Sequence, residues 1–176
     1  YFRPFSGNFP SFFVGMSRRE WKNHPKALFI VERKFKTNGN HTTHPRSYAE
    51  TTEAITITVE PFYLDEQSEP DDGHYVWAYH VLIENHGQRT VRLMTRHWRI
   101  TDSMGRIQEV QGDGVVGEQP VLTPGGSFEY TSGTPLSTPS GIMVGTYQME
   151  TETGDRFDVN IPAFSLDSPY QAGQVH

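Results

Sequence analysis

Three glycines, Gly112, Gly114 and Gly117, fall in the run GDGVVGEQP at the G-x-G-x-x-G spacing, which in dinucleotide-binding folds wraps a pyrophosphate. Upstream of them stands a dense group of polar and aromatic side chains, Arg96, His97, Trp98 and Arg99. For the glycine loop to hold an anion, successive backbone amides must turn inward around it. Arginines from neighbouring strands must then supply the charge. Arg96 or Arg99 together with Arg106 could do so, because the other charges near the glycines, Glu109, Asp113 and Glu118, have the wrong sign. The competing reading is structural. Gly112 and Gly114 would adopt backbone angles that other residues avoid, with Val115 and Val116 plugging the end of the fold. Trp98 would anchor the core, and the arginine stems would cover its rim.

The dinucleotide reading itself fails on the residues that follow. A pyrophosphate site needs a helix opening at the last glycines, whose free amides and dipole receive the phosphates. After Gly117 the chain reads EQPVLTPGG, and two prolines and two glycines forbid a helix of useful length. What is left is a glycine loop between strands, whose inward-turned amides could hold a phosphate or carboxylate.

Other chemistries have less support. The chain has no cysteine, which removes disulfides, thiolate metal sites and cysteine nucleophiles together. His74, His80 and His86 are spaced by six, and six residues of strand span about 20 Å, too far for one ion. His41 and His44 have no carboxylate beside them. No metal site is therefore expected, and no cofactor. The acidic group Asp65, Glu66, Glu69, Asp71, Asp72 reads as a solvated loop with room for weak Mg²⁺ association. No nucleophile elbow is present, and Ser132, Ser137 and Ser140 sit in turn-like segments. Catalysis is not expected.

The elements that must position these residues are strands. Ile55, Ile57 and Val59 alternate with polar residues, and Pro61 should break or bend that strand. Trp77, Tyr79, Val81 and Ile83 alternate again, followed by a short connection in which Gly87 is available for a positive φ. In residues 90–101, Met94, Arg96, Trp98 and Ile100 share one face, while Val91, Leu93, Thr95, His97 and Arg99 share the other. RIQEV, SFEYTSG, IMVGTYQMET and RFDVNIPAF complete about seven short strands, separated by TPGG, TPSG and TETGD turns. No helical stripe is visible in residues 50–170. The fold class is all-β, a sandwich or barrel of antiparallel strands.

Charge divides the 176 residues. Residues 1–46 hold nine Lys or Arg against two acids, and residues 47–176 hold six arginines against nineteen acids, so +7 is followed by −13. The boundary near Ser47 suggests a basic, poorly ordered N-terminal extension (1–46), a main domain (47–170) and a flexible tail (171–176). The start at Tyr1 reads as a fragment, a processed product or sequence upstream of a true start. The acidic main domain repels nucleic acid. No apolar run is long enough to span a membrane, and the expected compartment is cytoplasmic.

The runs RHWRITDSMGRIQEVQGDGVVGEQPVL, PGGSFEYTSG, SGIMVGTYQM and FDVNIPAFSLDSP strongly resemble the ApaG domain family over roughly Glu50 to Pro169. The resemblance implies a fibronectin type III-like β-sandwich. It also implies a stand-alone bacterial type, since residues 1–46 hold no F-box such as accompanies the domain in eukaryotes. Family members are associated with magnesium and cobalt tolerance in bacteria and are regarded as protein-interaction modules in eukaryotes, with no established catalytic residues. A protein partner, not identifiable from the sequence, is therefore the leading expectation; the alternative is a sensor that binds pyrophosphate or a diadenosine polyphosphate, with Mg²⁺ assisting, at the glycine loop. Open sandwich edges also leave a homodimer available.

Overall fold

The computed structural model describes residues 46–173 together with a two-residue strand, β1 (Phe29–Ile30). Nine further strands follow: β2 (Tyr48–Thr52), β3 (Ile55–Tyr63), β4 (Tyr75–Asn85), β5 (Val91–Asp102), β6 (Ile107–Asp113), β7 (Val121–Leu122), β8 (Ser127–Leu136), β9 (Ser140–Thr151) and β10 (Arg156–Asp167). They form two antiparallel sheets, ordered β1-β8-β4-β3-β2 and β10-β9-β5-β6, with β7 pairing to β5. The seven strands of seven residues or more give a three-on-four sandwich, β8-β4-β3 against β10-β9-β5-β6. Most of the basic extension, including His41 and His44, and the last three residues of the tail lie outside the described residues. Phe29 and Ile30 pair with Gly133 and Ser132 of β8, and Pro169–Gly173 forms a short 3-10 turn.

The core follows from the period-two pattern. Ile55, Ile57 and Val59 on β3, and Trp77, Tyr79, Val81 and Ile83 on β4, are wholly buried. They meet Trp98, Ile100, Met143, Tyr147, Val159, Ile161 and Phe164 from the opposite sheet. Trp98 is the hub, with Tyr79 edge-on at 5.4 Å, Phe164 at 6.1 Å and Tyr147 at 6.2 Å between ring centroids. Such edge-to-face pairs add about 0.5–1.5 kcal/mol each beyond their buried area. Gly145 makes this possible. A Cβ there would come within 2.9 Å of the Trp98 ring and closer still to the His97 carbonyl oxygen.

Three local expectations are corrected. Pro61 does not break β3. It pairs with Tyr79 on one side, and on the other side the neighbouring strand β2 has already ended at the Tyr48–Val59 pair, so no ladder bond is lost. Gly87 does not use a positive φ; its amide donates instead to Oδ1 of buried Asn85, whose Nδ2 donates to the carbonyls of Arg89 and Leu122. Strand β5 does not present a single alternation. A bulge between Leu93 and Thr95 in its pairing with β9 shifts the phase, so Val91 and Leu93 face inward before it and Trp98 and Ile100 face inward after it.

Candidate functional site

Arg96 and Gly112 are direct cross-strand partners on β5 and β6. The Arg96 guanidinium folds over the glycine, where a Cβ would stand 3.1–3.3 Å from Nη1, Nη2 and Cζ. From there Nη1 donates to the carbonyl oxygens of Asp113 and Gly114, both at 2.9 Å. Gly112 thus serves by lacking a side chain, not by an unusual φ. Gly114 does take the left-handed conformation, at φ +58°, and a Cβ on it would overlap the Glu118 carbonyl oxygen.

The rest of the loop is a two-residue hairpin. The Val115 amide donates to the Glu118 carbonyl at 2.8 Å and the Glu118 amide donates back at 2.9 Å. The two residues between them, Val116 at φ +45° and Gly117 at φ +79°, have the signature of a type I′ turn. Val115 is wholly buried and Val116 packs against the core. The Gly114 amide donates to the Met94 carbonyl, which also accepts from Gln119 Nε2. The amides of Gly114, Val115 and Glu118 are therefore committed within the protein, and the groups turned toward Arg96 are carbonyls.

The structure brings Arg96, Gly112 and Gly114 together, with Gly117 at the loop tip. It does not bring Arg106 to them. Six residue steps, about 20 Å of strand, separate the Thr95–Asp113 pair from the Thr101–Ile107 pair beside which Arg106 stands. There Arg106 Nε donates to Asp102 Oδ2 at 2.6 Å and Nη2 to Ser137 Oγ at 2.7 Å. Burial alone would raise the Asp102 carboxyl, but bonds from the Arg106 amide and guanidinium and the Met104 amide, with the guanidinium charge, hold it below its ordinary value. Arg99 points outward from the sheet and is exposed.

The outer face of the β10-β9-β5-β6 sheet divides in two. Register sets Asp158, Gln148, Thr95 and Asp113 in one row across it, and Asn160, Thr146, His97 and Gln111 in the next. A groove of about 450 Å³ runs over these rows. Its charged lining includes two carboxylates, Asp113 and Asp158, and His97 Nε2 lies 3.7 Å from Glu109 Oε2. Among the described residues, no group of three His, Asp or Glu is placed to hold a metal ion. The remaining rows carry exposed apolar side chains: Val144 pairs with Arg99, and Ile142 with Thr101, which pairs with Ile107. Ile142 is 56 % exposed, Ile107 52 %, and Met104 in the adjoining turn 75 %. Sequence reading missed this patch. IMV in a strand reads as a segment buried on both faces, and only the open outer side of the sheet exposes Ile142 and Val144.

Inside the sandwich, Tyr79, Tyr130 and Tyr147 are buried, and burial drives all three phenols above their ordinary range. The hydroxyls of Tyr130 and Tyr147 hydrogen-bond each other.

The ApaG domain model matches residues 65–151, a span that includes the glycine loop and β5, β6 and β8. Protein ApaG of Paramagnetospirillum magneticum is 68 % identical over 129 residues, covering 73 % of this chain and 99 % of that protein. The chain belongs to the ApaG domain family. ApaG of Parvibaculum lavamentivorans is 62 % identical over the same length, again covering 99 % of that protein. The ApaG fold is also seen in a solved Bordetella pertussis protein named ApaA, 51 % identical, with a TM-score of 0.64 over 65 % of this chain and 94 % of that one. Among the described residues no helix is long and apolar enough to cross a membrane.

Proposed function

We propose that this ApaG-domain chain is a cytoplasmic, non-catalytic protein-interaction module, and that its partner docks on the apolar half of the outer β9-β5-β6 face. The observation that carries this reading is the adjacency of Ile107, Ile142, Val144 and Met104, all exposed. Clustered apolar side chains on a surface do nothing for the fold and favour association. Arg99 and Glu109, paired in the Val144 row, supply the polar rim common to such interfaces. The family's association with magnesium and cobalt tolerance then acts through the bound protein, without transport by the domain itself.

The test compares wild type with an Ile107→Ser, Ile142→Ser double variant in cross-linking and mass spectrometry. A partner recovered with wild type and lost with the variant, at an unchanged melting temperature, supports the reading. Equal recovery by both proteins removes the patch from it. Concentration-dependent wild-type dimers in light scattering, abolished by the same substitutions, would make the partner a second copy. Saturable heat on titration with pyrophosphate, with or without Mg²⁺, would move the function to the glycine loop.

A further inference from the structure

Strand β6 is one margin of its sheet, with β5 on one side and no described strand on the other. It pairs with β5 without a register shift. At one end of this ladder the Gly114 amide donates to the Met94 carbonyl, and at the other the Asp102 amide donates to the Arg106 carbonyl. Antiparallel bonding alternates along a strand, so the residues of β6 that bond to β5 are Gln108, Val110 and Gly112. Ile107, Glu109, Gln111 and Asp113 turn their amides to the open margin, and all four are exposed. The Asp113 carbonyl is held by Arg96.

Other margins are guarded in ways that β6 is not. Strand β8 carries Pro135 and is paired by β1 at Ser132 and Gly133. Strand β10 carries Pro162 and a bulge between Ile161 and Phe164. It is also tied to β2, where the Asn160 amide donates to Thr52 Oγ1 and Asn160 Nδ2 to Glu50 Oε1. Prolines, bulges and covering segments are how sheet margins avoid taking on another strand. Strand β6 has no proline, no lysine and no bulge in its pairing. A margin of that kind is a template for strand addition.

We propose that β6 receives an extended segment of the partner protein as an added strand, one that alternates basic and apolar residues. The proposal rests on the reading of this outer face as a docking surface, and it names what the partner presents there. Side chains of an added strand stand beside those of β6, about 5 Å away. On the outer face they meet Glu109 and Asp113, opposite which lysine or arginine is favoured. On the other face they meet Val110, which packs against the core and suits a β-branched apolar neighbour. The cations Arg96 and Arg99 stand one strand further in, on β5. A second copy of β6 fits poorly, because it has no lysine or arginine and brings another Glu109 and Asp113 into the same gap.

The test titrates the full chain with an octapeptide of alternating lysine and valine while amide exchange is followed residue by residue. Strand addition predicts saturable binding in which the Glu109 and Gln111 amides slow about tenfold at about ten times the dissociation constant. The Gln108 and Val110 amides, already bonded to β5, should not change. Gln111→Pro removes a donor that the β5 ladder does not use and should abolish the protection at an unchanged melting temperature. Glu109→Lys leaves the backbone intact and should weaken binding about three- to fivefold. Equal slowing of both sets of amides, or equal binding of a glutamate–valine octapeptide, would overturn the proposal. So would protection of Glu109 and Gln111 in the chain alone. Protection that rises with concentration would make the occupant a second copy, and protection that does not would make it the chain's own basic N-terminal residues. Docking on the apolar patch is read separately, from the Ile107→Ser, Ile142→Ser variant. A partner lost with that variant, without any peptide binding, would sink strand addition and leave the patch standing.

Discussion

Arg96 lies across Gly112, and its guanidinium stands 3.1–3.3 Å from the point at which the side chain of any other residue would begin, closer than it could stay beside one without shifting. The glycine is thus a seat for the arginine that pins the Asp113–Gly114 backbone. In Gly112→Ala the added methyl meets the end of a flexible side chain, so the arginine shifts and its two charged hydrogen bonds weaken. Chemical denaturation should show a loss of about 1–2 kcal/mol, most of which disappears in an Arg96→Met background. Gly114→Ala should be far worse, about 4 kcal/mol or more, because a left-handed φ and the rigid Glu118 carbonyl leave it nowhere to go. If both alanines cost the same, the seat has been misread.

Val116 is a β-branched residue at φ +45° in a two-residue turn, a conformation that costs an L-residue about 1–2 kcal/mol. Asparagine tolerates the left-handed region better. Val116→Asn should therefore raise the unfolding free energy by about 0.5–1 kcal/mol, after subtracting the packing that Val116 makes on the core. A measured decrease would mean that packing outweighs the strain.

The Tyr130–Tyr147 hydroxyl pair is buried. Either single Phe substitution strands the remaining hydroxyl in the core, at about 1–3 kcal/mol. Replacing both tyrosines with phenylalanine removes both polar groups and should cost less than the sum of the single changes. The coupling is read from a double-mutant cycle, and strict additivity would show that the two hydroxyls do not depend on each other.

Asp102 is held below its ordinary carboxylate pKa in the folded state. A depressed folded value means that its contribution is complete above the unfolded pKa, near 4, and is lost as pH falls through the lower folded value. Asp102→Asn should therefore melt below wild type at pH 7, and the gap should narrow as both are acidified below about pH 4. Parallel curves across that range would show that the Arg106 and Met104 contacts do not select the charged form.

Much of the fold is written in local patterns. The alternation of Ile55, Ile57 and Val59 and of Trp77, Tyr79, Val81 and Ile83 fixes which side chains face the core, because a strand has a period of two. Prolines and glycines after Gly117 exclude a helix by local sterics alone. The site was less legible. Gly112, Gly114 and Arg96 could be singled out by type, but a guanidinium standing 3.1 Å from where a Cβ on Gly112 would be follows only from the β5–β6 register. Arg106 looked equally available, since sequence distance from a loop says nothing about which end of a hairpin a turn occupies.

By itself, the sequence determined the all-β class, the core-facing residues of β3 and β4 and the family, each of which rests on period, turn chemistry and residue type. Tertiary structure alone decided that Leu93 and Trp98 both face inward, because one bulge in a pairing strand reverses the phase of everything beyond it. It also decided that Ile142 and Val144 meet solvent and that the Arg96 guanidinium folds over Gly112 onto the Asp113 and Gly114 carbonyls. Burial and partnership are relations between strands distant along the chain, and no single strand encodes them.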